Sequence, residues 1–190
     1  MTDLDPKSTA LVLIDLQNGI IGMPLAPRSG QEVLAAGKSL AQLFRAAGAQ
    51  VVLVNVAFAR DFADAPTPLV DRPTPRPEGG LPDAWSELAE GLAQAGDIRI
   101  TKRQWGAFYG TELDLQLSRR GIRTIVLGGI ATNFGVESTA RQAWERGYNV
   151  ILVEPACASA SAELHEMTIE HVLPRIARVL RSTKIGFLPG

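Results

Sequence analysis

The sequence predicts an α/β fold, a doubly wound three-layer sandwich around a mostly parallel sheet of about six strands. Apolar runs of strand length recur along the chain without the alternation of a half-exposed strand, which indicates burial on both faces. Segments with helical periodicity separate these runs. A length of 190 residues with 46% hydrophobic residues further predicts one domain, residues 1–190, with a sizeable core.

Composition and charge exclude several classes of function. The formal net charge is −1 with 21% charged residues, which offers no general basis for binding nucleic acid or an anionic membrane. No apolar run approaches the roughly 20 residues that span a bilayer, and no basic segment marks a signal peptide. One cysteine excludes an internal disulfide framework and a multi-cysteine metal site. We therefore expect a cytoplasmic protein with no nucleic-acid or membrane partner.

The first buried strand is predicted over residues 9–16 and carries Asp15 at its carboxyl end. In open α/β sheets, ligands bind at that edge. An aspartate at this point can equally be a turn or helix-capping residue. A helix over 31–48 and a second buried strand over 51–56 follow.

Residues 57–80 are rich in proline and too irregular for a helix or a central strand. They could form a linker between domains, but the strand–helix alternation continues on both sides, so we favour a long ordered loop or lid. A short helix over 83–95, with Trp85 and Leu88 facing inward, and a strand over 98–101 come next. That strand delivers Lys102 to the same edge as Asp15.

The segment from Lys102 to residue 111 combines a cation with Trp105, Phe108 and Tyr109. Such a segment can build the wall of a pocket, although a surface loop with a solvated Lys–Arg pair is the commoner arrangement. Thr111 is predicted to cap the following helix, with Asp114 at its third position.

Residues 124–147 read as a strand, a glycine-containing turn and a helix. The start of such a helix presents backbone N–H groups that can hold an anion or a developing oxyanion. The remaining predictions are a strand over 149–154, a long helix over 161–176 and a last strand over 177–180. The helix after the turn should bury one stripe of residues: Val136, Thr139, Ala140, Ala143, Trp144 and Gly147.

Three motifs in this order carry a family resemblance: LVLIDLQNG, KRQWGAFYGTELDLQL and GGIATNFGVESTARQAWERGY. Together they resemble the isochorismatase-like hydrolases, which include nicotinamidases, N-carbamoylsarcosine amidases and isochorismatases. The resemblance covers essentially the whole chain and is strongest to bacterial members known only as isochorismatase-family hydrolases. It implies a six-stranded parallel sheet with helices on both faces, in agreement with the pattern above.

The resemblance also implies a catalytic set. Asp15 and Lys102 match the aspartate and lysine of the family's Asp–Lys–Cys triad, and Gly135 stands where the amidase branch has its nucleophilic cysteine. The isochorismatase branch likewise has glycine there and hydrolyses a vinyl ether. Asp15 would then be the general acid, and burial would have to keep it protonated beside Lys102.

Further expectations concern the surroundings of this set. By resemblance, the Ile130–Ala131 peptide is cis and the chain forms a homo-oligomer, a dimer or a tetramer. We expect no metal and no cofactor, with His165 and His171 on the last helix away from the site and Cys157 a buried apolar residue. Substrate contacts are expected from Gln17, Trp105, Phe108, Tyr109, Ile130, Ala131, Thr132 and Phe134.

Two functions follow from this pattern. The first is a hydrolase without a covalent cysteine nucleophile, acting on a small carboxylated or enol-ether substrate with Asp15 as general acid or base. The second is a catalytically inactive binding or regulatory member of the same fold. Hydrolysis by a water activated on the Asp15–Lys102 pair is a third, less supported route.

Overall fold

The computed structural model describes residues 2–181 and 185–188. The helices are α1 (Asn18–Ile21), α2 (Gly30–Ala46), α3 (Leu113–Arg119), α4 (Glu137–Glu145) and α5 (Ala162–Met167). The strands are β1 (Thr2–Leu4), β2 (Thr9–Ile14), β3 (Gln50–Val56), β4 (Ile98–Lys102), β5 (Thr124–Ile130), β6 (Asn149–Ala158), β7 (Arg178–Leu180) and β8 (Ile185–Phe187).

Strands β2 to β7 form one six-stranded sheet in the order β4-β3-β2-β5-β6-β7. Every neighbouring pair is parallel, so the predicted doubly wound α/β sheet is confirmed. The strand order reverses between β2 and β5, the two central strands. Ligands in such sheets bind beyond the carboxyl ends of the strands at this reversal. A separate two-stranded parallel sheet joins β1 to β8.

The sheet is buried on both faces because alternate residues of each strand enter different core clusters. Leu11 and Leu13 of β2 pack in one cluster with Phe44 of α2. Val12 of β2 packs in the other with Leu117 of α3. This arrangement gives the three layers that the continuous apolar runs predicted. Helix α2 begins at a capping box in which Ser29 and Glu32 each bond the other's backbone N–H.

The predicted helix over 83–95 is wrong. Only Asp83–Ser86 is helical, as a single 3-10 turn. After it the chain lies extended against residues 16–18, where the N–H of Ala89 donates to the carbonyl of Leu16 at 3.0 Å. Trp85 and Leu88 are only partly buried, and Gly91 has a φ of 69°, which ends any helical run. Tertiary pairing therefore overrides the local periodicity.

The last predicted helix is helical but not uniform. After α5 the chain widens into a π-helical turn at Thr168–Val172 and tightens into a 3-10 turn at Leu173–Arg175. Pro174 lies in this region and has no N–H to donate to a preceding carbonyl. The predicted strand after it is confirmed as β7.

Two side-chain predictions are also wrong. Trp144 is 54% exposed, because it lies roughly 80° around the helix from Val136, at the edge of the buried stripe. Helix α3 has Glu112, not Thr111, at its N-cap. The Thr111 hydroxyl still accepts the N–H of Leu113 at 3.2 Å.

Residues 57–80 connect two neighbouring strands of the same sheet, β3 and β4, so they are not a linker between domains. They contain no helix or strand but are anchored at several points. Asp64 accepts the N–H of Ala59 at 2.7 Å and pairs with Arg103 at 2.5 Å. The Arg60 Nε donates to the carbonyl of Gly79 at 2.9 Å. Within residues 2–181 and 185–188, none of the helices has the length and apolar content that a membrane crossing requires.

Candidate active site

Asp15 follows β2 and turns the chain out of the sheet. Its φ is 54°, the left-handed region that aspartate tolerates better than most residues. Its N–H still donates to the carbonyl of Val54 at 2.8 Å, which holds the backbone against β3. The side chain is 8% exposed and points to the strand-end edge of the sheet.

Lys102 is the last residue of β4, two strands away from β2. Roughly 10 Å separate strands that are two apart in a sheet, and the long lysine side chain spans the end of β3. Its Nζ lies 2.7 Å from Asp15 Oδ2 and donates to the carbonyl of Gln104 at 3.1 Å. The lysine side chain is 2% exposed, so the structure holds a buried ion pair at the predicted position.

The surroundings of Asp15 keep a proton on it more readily than water would. Burial raises the pKa of Asp15 to about 6, and it outweighs the opposing charge of Lys102. Only Oδ2 accepts the hydrogen bond from Lys102 Nζ. Oδ1 is buried without a hydrogen-bond partner among the described residues. A buried unpaired carboxylate oxygen is costly, so the lack of a partner at Oδ1 favours the protonated carboxyl group.

Gly135 lies beside this pair. A Cβ on Gly135 would stand 3.0 Å from Ile14 Cγ2, 3.3 Å from Asp15 Oδ2 and 3.5 Å from Lys102 Nζ. Gly135 is not among the residues with positive φ, so its backbone conformation does not itself demand glycine. A side chain at this position would therefore face both charged groups.

The turn that carries Gly135 is the π-helical segment Thr132–Val136, which runs directly into α4. Ala131 precedes it, and its carbonyl accepts the N–H of Val136 at 3.1 Å. The Ile130–Ala131 peptide is cis, as the resemblance implies. The Phe134 N–H also donates to the Ala131 carbonyl at 3.1 Å, and Gly135 is the residue of this turn that lies next to the Asp15–Lys102 pair.

Two of the residues expected to contact substrate have other roles. Gln17 is fully buried, and its amide donates to the carbonyls of Val56 and Trp85 and accepts the N–H of Val56. These bonds occupy both of its N–H donors. Phe108 is buried in the core cluster beneath α3 and α4 and packs on Tyr148. The two side chains therefore build the scaffold of the site, and their contact with substrate stays a prediction.

The other expected contacts divide between surface and interior. Trp105 and Phe134 lie with ring centroids 4.7 Å apart and are 60% and 38% exposed. Tyr109 is 72% exposed. Ile130 and Thr132 are buried and only their backbone can face a ligand, whereas Ala131 is partly accessible.

Sequence reasoning missed a buried polar chain behind the turn. His165 is not remote from the site: its Nδ1 lies 2.8 Å from the Thr132 hydroxyl and its Nε2 lies 3.0 Å from Glu154. Glu154 in turn pairs with Arg28 at 2.7 Å. The one signal in the sequence was a glutamate ending an apolar strand, since a buried carboxylate requires partners.

The two other residues discussed as metal or thiol candidates lie elsewhere. His171 is exposed. Cys157 is fully buried, and burial raises the pKa of its thiol to about 12. Among the described residues, no three His, Cys, Asp or Glu side chains converge as a metal site would require.

Comparison with known proteins finds one family model, the isochorismatase domain, matching residues 9–184. The uncharacterised isochorismatase family protein YecD of Escherichia coli O157:H7 is 53% identical over 94% of this chain and 95% of its own length. YwoC of Bacillus subtilis, also uncharacterised, is 49% identical over 93% and 91%. The ureidoacrylate amidohydrolase RutB of Rhizobium rhizogenes is 31% identical over 80% and 71%.

Comparison with solved structures finds members of the same family. An isochorismatase family protein from Burkholderia thailandensis superposes with a TM-score of 0.88 at 44% identity, covering 94% of this chain and 93% of that one. The N-carbamoylsarcosine amidase from Thermoplasma acidophilum superposes with a TM-score of 0.74 at 28% identity, covering 94% and 98%.

Proposed function

The chain belongs to the isochorismatase family and is a hydrolase, and from this premise we propose that it hydrolyses without a covalent cysteine nucleophile. Its substrate is a small carboxylated or enol-ether compound, and Asp15 is the general acid or base. The observation that carries the proposal is the buried Asp15–Lys102 contact of 2.7 Å beside Gly135. This chain belongs to a subgroup in which glycine replaces the cysteine.

The chemistry fits an enol ether because this reaction needs a proton donor and water rather than a nucleophile. Protonated Asp15 transfers its proton to the methylene carbon of the vinyl ether. Water then adds to the resulting oxocarbenium ion, and its proton returns to the Asp15 carboxylate. The hemiketal collapses to a ketone and an alcohol. A pKa of about 6 at Asp15 supports this role, since a general acid works best when its pKa lies near the operating pH.

Lys102 has a separate task in this scheme. Its ammonium is held by Asp15 Oδ2 and the carbonyl of Gln104, which leaves one of its three N–H donors for a substrate carboxylate. The N–H groups at the start of the 132–136 turn add further positive potential. A substrate with a carboxylate next to the ether oxygen would therefore be held with its methylene carbon toward the Asp15 carboxyl group.

Amide and ester substrates should be tested together with enol ethers. RutB and the N-carbamoylsarcosine amidase are named as amide-cleaving enzymes, and the resemblance places a cysteine in that branch where this chain has Gly135. We propose a hydrolysis screen of enol ethers, amides and esters with wild type, Asp15→Asn and Gly135→Cys. The proposal expects wild type to cleave enol ethers and Asp15→Asn to lose this activity at least about a hundredfold.

A different result of the screen would overturn the proposal. If wild type is inert on every class and Gly135→Cys gains amidase activity, the cysteine-free mechanism fails and the binding or regulatory function becomes the better account. Gly135→Ser is the matched control, because it adds a side chain of similar size without a thiol.

We also propose that the active form is a cytoplasmic homo-oligomer, a dimer or a tetramer. Trp105 and Tyr109 are large, mostly exposed aromatic residues close to Lys102, and exposed aromatic clusters are typical of interfaces. Light scattering after size-exclusion chromatography measures the mass. A monomeric mass for an active preparation would refute this assembly.

A further inference from the structure

The polar chain behind the site runs from the partly exposed Arg28 through the buried Glu154 and His165 to Thr132. The Arg28 guanidinium donates to Glu154 Oε1 at 2.7 Å and to the carbonyl of Cys157 at 3.1 Å. Glu154 and His165 side chains are 8% and 2% exposed, and Thr132 is fully buried. A buried polar chain is costly unless every member is satisfied, and here each member has a partner.

An irregularity in β6 places Glu154 in this chain. Leu127 of β5 pairs with Leu152, but Gly129 pairs with Cys157, so β6 contains additional residues at this point. Such a bulge re-aims a side chain. It directs the Glu154 carboxylate toward α5 and Arg28 instead of leaving it in the strand ladder.

The hydrogen-bond directions are fixed by the chemistry of the groups. An ionised carboxylate only accepts, so His165 Nε2 carries the proton and donates to Glu154. Burial lowers the pKa of His165, which favours the neutral ring. Burial raises the pKa of Glu154, but the hydrogen bonds from Arg28 and His165 outweigh it and lower the pKa. Nδ1 of the neutral ring is therefore an acceptor, and the Thr132 hydroxyl donates to it.

The order hydroxyl, imidazole, carboxylate is also that of a nucleophilic triad. Burial decides against that function here. Thr132 is 0% exposed, so its oxygen cannot reach a substrate. Its backbone, however, belongs to the same turn as Gly135 and follows Ala131 directly.

A second contact fixes the same turn from the same side. The Ser159 hydroxyl donates to Asn133 Oδ1. The backbone of Ser159 exchanges two bonds of 2.8 Å with Ala26, two residues before Arg28. Two adjacent turn residues, Thr132 and Asn133, are thus held by one buried assembly of β6, α5 and the segment before α2.

We propose that His165, with Glu154 and Arg28 behind it, is a positioning residue that sets the 131–136 turn against Asp15 and Lys102 through the Thr132 hydroxyl. The inference rests on the proposed function only in that the turn faces the reacting groups. Its structural content, a turn whose placement depends on the His165–Thr132 bond, stands whether or not the chain hydrolyses enol ethers.

The chain offers matched pairs of variants. Asn in place of His165 puts an amide oxygen near Nδ1 and keeps an acceptor for Thr132, whereas Gln puts an amide nitrogen near Nε2 and keeps only the donor to Glu154. Thr132→Ser keeps the hydroxyl, and Thr132→Val removes it at nearly constant volume. His165→Gln and Thr132→Val therefore break the proposed bond, while His165→Asn and Thr132→Ser preserve it.

The first readout needs no substrate: backbone amide chemical shifts of residues 131–136 in the full chain. We expect them to move in His165→Gln and Thr132→Val and to stay near wild type in the two bond-preserving variants. With a substrate from the screen, kcat should fall about tenfold in the bond-breaking pair with KM changed less than about threefold. An inert wild type would count against the proposed function while the amide shifts still decide this inference.

Two outcomes would overturn the positioning role. One is that the four variants show the same amide shifts in the turn, moved or unmoved. The other is that His165→Gln and Thr132→Val fail to fold while His165→Asn and Thr132→Ser fold normally, because the bond would then be required for stability alone.

Discussion

The thiol of a cysteine introduced at Gly135 should ionise in a way that depends on the protonation of Asp15. The added Cβ would stand 3.3 Å from Asp15 Oδ2 and 3.5 Å from Lys102 Nζ, so its sulfur would lie within about 5 Å of both. A neighbouring cation lowers a thiol pKa by about 1–3 units and burial at this position opposes it, so we take a net fall from about 8.5 to about 7. The nearest obstacle, Ile14 Cγ2 at 3.0 Å, requires only a small shift.

Because the Asp15 carboxyl group and the thiol would lie within about 5 Å of each other, their ionisations are coupled. The first proton leaves the pair with an apparent pKa near that of Asp15, about 6. With the thiol about one unit weaker as an acid, roughly a tenth of the singly ionised pairs carry the charge on sulfur. At pH 6 this gives roughly 5% thiolate, against roughly 0.3% for an unperturbed thiol.

The ultraviolet absorbance of the thiolate measures this fraction directly, and alkylation by iodoacetamide measures its reactivity. The wild-type chain should give no thiolate signal in this pH range, because its single cysteine, Cys157, is buried and burial raises its pKa to about 12. Adding Lys102→Met to Gly135→Cys should move the thiol titration upward. A folded Gly135→Cys protein with a single thiol ionisation at about 8.5 or above would refute the proposed geometry.

Three further predictions concern the same region. Hydrolysis should require protonated Asp15, so kcat/KM should fall as the pH rises through about 6; a flat profile between about pH 5 and 8 would contradict the acid role. Asp15→Asn leaves Lys102 buried and unpaired, which should lower the free energy of unfolding by about 3–5 kcal/mol in urea. Asp15→Asn with Lys102→Met should recover most of that loss, and the argument fails if the double variant is no more stable than the single one. Gln17→Leu removes three buried hydrogen bonds and should cost about 2–4 kcal/mol, measured by the same urea titration; an unchanged midpoint would refute the scaffold role.

The sheet was predictable because a parallel strand that is buried on both faces has a continuous apolar sequence. Runs such as residues 9–16 and 51–56 are apolar without alternation, and a chain can cover such strands only with helices on both sides. The helix over 83–95 was not predictable by the same route. There the apolar residues follow a helical period, but long-range pairing with residues 16–18 outweighs the small propensity differences on which the prediction depends.

The contact between Asp15 and Lys102 was predictable only in part. Asp15 and Lys102 each end a strand, so topology alone brings them to one edge of the sheet. Their contact depends on the strand order, because Lys102 has to reach across the end of β3. The scaffold roles of Gln17 and Phe108 were not predictable, since residue type alone does not tell whether a side chain at the sheet edge packs inward.

The sequence by itself determined the layered fold, the placement of Asp15, Lys102 and Gly135 at one edge, and the presence of glycine rather than cysteine at position 135. These follow from burial periodicity, chain order and residue identity. Only the tertiary structure decided that burial raises the pKa of Asp15 and that His165, 33 residues beyond Thr132, bonds to its hydroxyl. Both depend on how much water is excluded and on the bulge in β6, which are properties of packing between segments distant in the chain.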